Sequence, residues 1–487
     1  MLSEPSIGAT RVRTPRGQSM RVQSDPPVTT SLPPAVPPPF SRAMVEENAR
    51  VGSPECAIGN LGQPGSIEGY ADRTSARFGD VVRLFVSTTA PSFHVEAYRM
   101  GWYRGVGSRL VWRSDTLTGE VQPAATLTPG TNMIETSWTP SVDVIVDEAF
   151  VPGCYLFKLV ASTSEARYVP LTVRDEENAS AIVVVNAVTT WQAYNGWGGY
   201  SLYNGPGGFG SRSRVVSFDR PYEDNGAPEF LGVELPVVKL VERLGLDVSY
   251  LTNIDVHRAP ELLLRHKAIV SLGHDEYWSR QMRDGTEAAR DQGVNLLFLG
   301  ANAAYRQIRL EPSPVGDLRH QVCYKSASED PISRLSPSLT TANWRDAPVS
   351  RPEAQLLGEQ YECNPVSTDF VVARPDSWVF AGTGLTQGAR LPGVVGGEYD
   401  RYVAGPGIPD NVEILAHSPL NCRGRNSYAD MTYYTAPSGA GVIDTGTQTW
   451  NTHLDGPDQN QQLVDITSNI LVTFGKGPAA ATSPAQP

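Results

Sequence analysis

The chain of 487 residues has few cysteines and lacks the cysteine patterns that build metal or disulfide scaffolds. Its five cysteines are odd in number, widely spaced and include no CxxC pair. This spacing argues against a structural zinc site and predicts no disulfide framework. The chain also lacks a GxSxG turn, a GxGxxG segment between a strand and a helix, and a GxxxxGK[ST] loop. A serine hydrolase, a dinucleotide enzyme and an NTPase therefore have little support.

Long apolar runs and an excess of positive charge are also missing. No segment approaches the roughly 20 consecutive apolar residues that cross a bilayer, and residues 1–21 lack the apolar region of a signal peptide. The chain has 40 Lys and Arg against 52 Asp and Glu, a formal net charge of −12. This acidity disfavours a nucleic-acid partner. We therefore expect a cytoplasmic, mostly reduced protein that binds neither nucleic acid nor a membrane.

Glycine and proline, by contrast, are abundant, with 45 and 39 residues, and indicate many turns. The proline-rich residues 31–40 and the Ala/Pro-rich end predict disordered tails over residues 1–45 and 477–487. Residues 55–176 contain short alternating segments that predict an antiparallel β-sandwich. Residues 178–476 alternate strand and helix patterns, with a long insertion between residues 305 and 440, and predict a larger α/β domain with a mainly parallel sheet.

Polar side chains cluster at the end of one predicted strand of that sheet. The segment SLGHDEYWS, residues 271–279, holds His274 and Glu276, which point the same way if the chain is extended there. Ligands of open α/β sheets bind at the carboxyl ends of the strands. An imidazole beside a carboxylate suits a metal site or a base with its orienting partner. The structural alternative is that this segment only caps the following helix and that His274 only satisfies backbone groups in a turn.

A second cluster, TTWQAYNGWGGYSLYN at residues 189–204, follows another predicted strand and contains Tyr194. If the two strands are neighbours, both clusters share one rim, where phenolic oxygens can bind a substrate or a hard trivalent metal. An aromatic loop that packs between domains is the structural alternative. Asn302 ends a third strand at the same rim. Glu398 in GVVGGEYDR and Lys325 in VCYKS are weaker signals, and a salt-bridged surface loop also explains the former.

Four segments together resemble one known family. VEAYRMGWYRGVGSRLV, GCYLFKLVAS, WQAYNGWGGYSLYN and LGHDEYWSRQMRD follow one another in the order seen in the N,N-dimethylformamidase large-subunit family, and the resemblance covers about residues 75–470. It implies a β-sandwich domain followed by an α/β domain akin to glutamine amidotransferases. It also implies a mononuclear Fe(III) site, held by two tyrosines and one glutamate, that hydrolyses a small amide.

The resemblance also implies roles for single residues. Glu276 matches the glutamate ligand and Tyr194 matches one of the tyrosines, whereas Tyr155, Tyr200 and Tyr203 all remain candidates for the second. Further polar residues of the pocket match four positions: His274, Asn302, Lys325 and Glu398. The implied partners are a small amide-like substrate and either a small partner subunit or further copies of this chain.

The expected activity is metal-dependent hydrolysis of the C–N bond of a small amide. Phenolate and carboxylate oxygens are hard ligands that favour Fe(III). The ion would polarise the carbonyl, while His274 or Glu398 handled protons. A non-catalytic binding module of the same fold is the main alternative, with a carbohydrate or a protein partner held by Trp and Tyr on glycine-rich loops. A metal-free hydrolase with a catalytic cysteine is disfavoured, because no cysteine lies in a strand-to-helix turn.

Overall fold

The computed structural model describes residues 39–175 and 179–486. Strands greatly outnumber helices in these residues, and the fold is a β-rich mixture of parallel and antiparallel sheets. The α-helices are α1 Arg42–Asn48, α2 Val188–Tyr194, α3 Leu235–Arg243, α4 Asn253–Arg258, α5 Arg280–Asp291, α6 Ala354–Leu357 and α7 Gln461–Phe474. A search of the described residues finds no helix with the length and apolar character needed to cross a bilayer.

The first part of the chain forms two sheets that share one core. A three-stranded sheet has the order β1-β3-β9, and a second sheet has the order β2-β11-β10-β4-β5 with β6 beside β4. The strands are β1 Ile67–Ala71, β2 Ser75–Ala76, β3 Val81–Thr88, β4 Ser92–Met100, β5 Ser108–Arg113, β6 Leu117–Thr118, β7 Thr126–Thr128, β8 Met133–Glu135, β9 Val142–Ile145, β10 Gly153–Ala161 and β11 Ala166–Val173. Alternate apolar residues of both sheets, such as Leu84 and Phe157, pack in one buried cluster.

The second part is built on a seven-stranded sheet of order β14-β12-β15-β17-β24-β23-β22. Its strands are β12 Ile182–Asn186, β14 Val248–Thr252, β15 Ala268–Gly273, β17 Asn295–Gly300, β22 Glu413–Cys422, β23 Arg425–Thr435 and β24 Gly441–Asp444. The first five strands in this order are parallel and the last two are antiparallel. Val184 packs into the cluster that contains α3 and α7, whereas Val183 packs into the cluster that contains Met282 of α5. Because both faces are covered, the first four residues of β12, 182–185, are all apolar.

Two smaller sheets flank the carboxyl ends of these parallel strands. One has the order β13-β19-β18-β16, and the other is the ribbon β20-β21. The strands are β13 Val215–Ser217, β16 Tyr277–Ser279, β18 Arg306–Glu311, β19 His320–Val322, β20 Gln360–Val371 and β21 Arg390–Arg401. Strands β18 to β23 all lie in the stretch that the sequence marks as a long insertion. This insertion therefore supplies walls around the rim and, with β22 and β23, the antiparallel edge of the large sheet.

Several local predictions differ from the structure. Residues 377–384 read as a strand but contain a 3₁₀ turn, and the first part of the segment 189–204 belongs to helix α2, with turns only after Tyr194. The predicted N-terminal tail of residues 1–45 overlaps α1, and its residues 1–38 lie outside the described part. The predicted C-terminal tail is packed: Asn295 Nδ2 donates to the Gly477 carbonyl at 2.6 Å. These short segments are ordered by tertiary contacts that local composition does not encode.

A disulfide corrects the expectation of a mostly reduced protein without disulfide bonds. Cys363 of β20 and Cys422 of β22 are bonded, although they are 59 residues apart in sequence. The remaining cysteines, Cys56, Cys154 and Cys323, are buried free thiols. The pairing depends on the packing of β20 against the long hairpin of β22 and β23. Sequence spacing carries no signal for such a contact.

Candidate active site

Two parallel neighbours in the large sheet bring the two predicted polar clusters together. Strand β12 runs into α2, whose last residue is Tyr194, and β15 runs into the segment that holds Glu276. Because β12 and β15 are adjacent and parallel, their carboxyl ends meet at one rim. The Glu276 backbone N–H donates to Thr190 Oγ1 at 3.0 Å, which ties the two segments together. Asp275 points away and accepts a hydrogen bond from Ser271 Oγ at 2.8 Å.

Two phenols and one carboxylate converge at this rim. Tyr194 Oη donates to Glu276 Oε2 at 2.8 Å, and Tyr203 Oη lies 2.7 Å from both carboxylate oxygens. The two phenolic oxygens are 2.9 Å apart, and the rings stack with centroids separated by 4.4 Å. Arg306 Nε lies 3.3 Å from Glu276 Oε1 and partly balances its charge. We call Tyr194, Tyr203 and Glu276 the oxygen cluster.

The charges of this cluster are set by burial. Burial raises the pKa of Tyr194 and of Tyr203 well above the usual value, and the negative charge of Glu276 adds to the effect in both cases. Both phenols are therefore protonated near neutral pH unless a cation joins them. As neutral phenols they each donate a hydrogen bond to the Glu276 carboxylate.

His274 and Glu398 form a second layer beside the oxygen cluster. His274 Nε2 lies 3.5 Å from Glu276 Oε2 and 3.4 Å from Glu398 Oε2. Burial acts to lower the pKa of His274, but the hydrogen bond and charge of Glu398, with the charge of Glu276, outweigh it and raise this pKa to about 9. Asn302 Nδ2 donates to Glu398 Oε2 at 2.6 Å. The arrangement favours an imidazolium next to an ionised carboxylate.

Lys325 packs against the ring of Tyr203. Its ammonium nitrogen lies 3.0 Å from the centre of that ring. Its Nζ is buried and has no hydrogen-bond partner. Burial lowers the pKa of Lys325 to about 7, although the charge of Glu276 acts in the opposite direction. Near neutral pH the amine therefore exists in both protonation states and can exchange a proton.

This low pKa predicts a pH dependence of stability. An unfolded lysine titrates near about 10.4, so between about pH 7 and pH 10.4 the unfolded state binds more protons and the free energy of unfolding rises with pH. We expect Lys325→Met to raise this free energy by about 1–3 kcal/mol at pH 7, because an unpaired buried polar group is removed, and to flatten the rise. Urea denaturation at pH 7 and pH 9 measures both effects. The exposed Lys476→Met variant serves as control, and equal pH slopes in wild type and Lys325→Met would contradict the prediction.

The three candidates for the second tyrosine occupy different places. Tyr155 lies in the core shared by the two N-terminal sheets and donates to the Val151 carbonyl at 2.6 Å. Tyr200 contributes its carbonyl oxygen to Arg220. Only the Tyr203 hydroxyl, of these three, is hydrogen-bonded to Glu276 in the described structure. The predicted residues Tyr194, His274, Glu276, Asn302, Lys325 and Glu398 all lie around this cluster.

Several residues of the site carry no signal in the sequence. Asn364 Nδ2 donates to Glu398 Oε1 at 2.6 Å, and Gln448 Nε2 lies 3.2 Å from His274 Nδ1. Like Arg306, these residues lie in segments for which the sequence predicts no defined strand or helix. A lone amide or guanidinium in such a segment resembles many surface residues, and only the tertiary contacts distinguish it.

The donors of the oxygen cluster suit a hard cation. Phenolic and carboxylate oxygens are hard donors of the kind that Fe(III) accepts, and three of these side chains meet here. The buried Tyr277 hydroxyl and Asn302 Oδ1 have no hydrogen-bond partner. Within the described residues, no group of three or more His, Cys, Asp and Glu side chains can hold a metal ion. Any metal at this rim therefore depends on the tyrosines.

Comparison with known proteins points to one family. The family profile described as N,N-dimethylformamidase beta subunit-like, C-terminal, matches residues 94–462. The N,N-dimethylformamidase beta subunit of Alcaligenes sp is 25% identical over 285 residues, which cover 50% of this chain and 37% of the relative. The beta subunit of the same name from Paracoccus aminophilus is 24% identical over 285 residues, with the same coverage. The match thus spans about 37% of the length of these relatives.

Proposed function

Because the chain belongs to the N,N-dimethylformamidase beta subunit-like family, we propose that it hydrolyses the C–N bond of a small amide at the oxygen cluster. One observation carries the proposal: two phenols and a carboxylate from separate segments meet beside a histidine–glutamate pair. Buried titratable side chains with shifted pKa values, as found here for Tyr194, Tyr203 and His274, are typical of a catalytic site. The names of the relatives indicate a formamide, which is a small amide.

Tyr194, Tyr203 and Glu276 would hold a ferric ion. Bound there, the ion would supply a Lewis acid for the amide carbonyl and lower the pKa of a water molecule. The phenols must release their protons for this binding, and the nearby cationic Arg306 supports the negative charge of the ligand set. Tyr155 and Tyr200 are the alternative ligands from the sequence, and the hydrogen bond of the Tyr203 hydroxyl to Glu276 argues for Tyr203.

The surrounding side chains would move protons and orient the substrate. Water adds to the carbonyl carbon, the C–N bond breaks, and an acid and an amine leave. The His274 imidazolium donates the proton that the leaving nitrogen needs, while Glu398 holds the imidazole in place. The neutral amine of Lys325 accepts a proton from the attacking water. Asn302, whose Oδ1 has no hydrogen-bond partner, offers its amide to the substrate.

The architecture and assembly belong to the same proposal. We propose that the first part of the chain is a β-sandwich domain and the second a glutamine amidotransferase-like domain; the core shared by the two N-terminal sheets and the packing on both faces of the large sheet support this. Both curated relatives are named as beta subunits. We propose a small partner subunit for this chain on that basis.

The experiment that tests the function combines metal analysis with an activity assay. We expect purified protein loaded with Fe(III) to bind about one iron per chain, to show a visible phenolate-to-iron absorption band and to release amine from small formamides and acetamides. Tyr203→Phe should lose the band and the bound iron, whereas Tyr155→Phe, the matched control, should keep both. A protein that binds no iron, or that binds iron but hydrolyses no amide in this panel, would overturn the proposal.

A further inference from the structure

The orientation of the Glu398 carboxylate depends on a residue from a different strand. Asn302 and His274 contact one oxygen, Oε2, at 2.6 and 3.4 Å. The other oxygen, Oε1, accepts a hydrogen bond from Asn364 Nδ2 at 2.6 Å. Because the two oxygens are held from opposite sides, the plane of the carboxylate is fixed with Oε2 toward His274. Without Asn364, the carboxylate can rotate about its last bond.

Asn364 reaches Glu398 because of an irregularity in the ribbon of β20 and β21. The register shifts between the pairs Cys363↔Tyr399 and Val366↔Gly397, so the β20 residues between them are not in regular alternation. Extra residues of this kind aim a side chain where a regular strand would not. The shift places the Asn364 amide over Glu398, on the facing strand.

A clamp from the hairpin of β22 and β23 determines which way this amide points. Arg423 Nη2 donates to Asn364 Oδ1 at 2.8 Å, and Arg423 Nε donates to the Asn364 carbonyl at 2.7 Å. A guanidinium has no acceptor, so the amide oxygen must face Arg423 and the NH₂ group must face Glu398. Cys363 and Cys422, the neighbours of these two residues in sequence, are joined by the disulfide. The covalent bond thus holds the clamp and the amide together.

We propose that Asn364 is a positioning residue for Glu398, and that Arg423 and the Cys363–Cys422 disulfide hold it in the productive orientation. The proposal rests on the proposed function, since it assigns Asn364 a role in proton handling by the His274–Glu398 pair. Asn364 does not touch the oxygen cluster and acts only through Glu398. Its loss should therefore slow the chemical step without weakening substrate binding.

Two substitutions at one position separate positioning from simple space filling. Loss of an outer orienting partner typically costs about 10–100-fold in activity, so we expect Asn364→Ala to lower kcat in that range and to leave KM within about twofold. Asn364→Asp keeps the shape and the acceptor for Arg423 but turns a second carboxylate oxygen toward Glu398. We expect it to lower kcat further than Asn364→Ala. If Asn364 only filled space, the nearly isosteric Asn364→Asp variant would match the wild type, and that result would overturn the proposal.

The control variant lies in the same hairpin. Asn426→Ala removes an exposed amide that contacts only Asn421 among the hydrogen bonds of the described residues, and it should leave kcat unchanged. Equal losses in Asn426→Ala and Asn364→Ala would show that the hairpin as a whole matters rather than the contact to Glu398. That result would count against Asn364 as a positioning residue.

The disulfide is tested by counting thiols and by removing them. Denatured protein without reductant should show the three free thiols of Cys56, Cys154 and Cys323, and reduced protein should show all five. The double variant Cys363→Ser/Cys422→Ser should lower kcat in the same direction as Asn364→Ala, with KM unchanged. Five free thiols without reductant, or a double variant with wild-type kcat, would overturn the role of the disulfide.

A structural readout keeps this inference separate from the proposed function. If the wild type hydrolyses no amide, the proposed function fails, and crystal structures of wild type and Asn364→Ala decide the positioning role. A Glu398 carboxylate that leaves His274 in Asn364→Ala supports the proposal. A carboxylate that keeps its place in both structures overturns it.

Discussion

Glu276→Gln is expected to abolish amide hydrolysis, with a loss in kcat/KM of at least about 10³-fold. The substitution keeps the shape of the side chain but removes the negative charge that both phenols and Arg306 share. A neutral amide is a poor ligand for a hard trivalent ion, so the bound iron and the phenolate-to-iron band should disappear as well. The measurements are initial rates on a small formamide, iron content per chain and the visible spectrum.

The control for this variant is Glu311→Gln, an exposed carboxylate at the end of β18 that pairs with Arg309 at 3.9 Å. It should retain wild-type activity and iron content. If the Glu276→Gln protein is folded, still binds iron and still hydrolyses the amide, then the oxygen cluster takes no part in the reaction. The alternative of a binding module would gain support if this variant changed nothing measurable while Trp197→Ala lost ligand binding.

Arg99→Leu is expected to cause the largest loss of stability. Arg99 of β4 and Glu242 of α3 form a fully buried ion pair with nitrogen–oxygen distances of 2.7 and 2.9 Å, and Tyr250 Oη donates to the same carboxylate at 2.7 Å. Removing one partner leaves the other charge buried and uncompensated, which typically costs about 3–5 kcal/mol. Thermal and urea denaturation should show this loss in the free energy of unfolding.

Two further variants serve as controls for this prediction. Arg42→Leu breaks an exposed pair with Glu46, where the side chains are 57% and 63% exposed, and should cost less than about 1 kcal/mol. The double variant Arg99→Leu/Glu242→Leu should be more stable than Arg99→Leu alone, because no charge is left buried without a partner. If both single arginine variants lost the same stability, burial of the Arg99–Glu242 pair would not be the cause of the loss.

The sequence predicts much of the site because the responsible signals are local. His274 and Glu276 follow a continuous apolar strand, and Tyr194 follows another; parallel strands then require both ends to lie at the same edge of the sheet. Asn302 ends a third strand at the same edge, whereas Lys325 and Glu398 are weak signals that gain a role only through the resemblance to a family. The positions of these three residues around the oxygen cluster come from three separate parts of the fold.

Other residues could not be found in this way. The sequence does not distinguish Tyr203 from Tyr155 as a ligand. Only the fold places the Tyr203 hydroxyl at Glu276 and the Tyr155 hydroxyl at the Val151 carbonyl. Asn364 depends on a register shift in β20, and the disulfide depends on the packing of β20 against β22. Register shifts and sheet packing are long-range events, and cysteines in such segments show no motif.

The amino-acid sequence by itself determined the alternation of strands and helices, the acidic surface and the two polar segments at strand ends, because periodicity and composition act over a few neighbouring residues. Only the tertiary structure decided which tyrosine joins Glu276, how Glu398 is oriented, and which cysteines pair. These outcomes depend on distances of a few ångströms between segments that are tens to more than a hundred residues apart in the chain. Burial then sets their charges, since the pKa of Lys325 and of His274 moves only when the surrounding water is excluded and the neighbouring charges are in place.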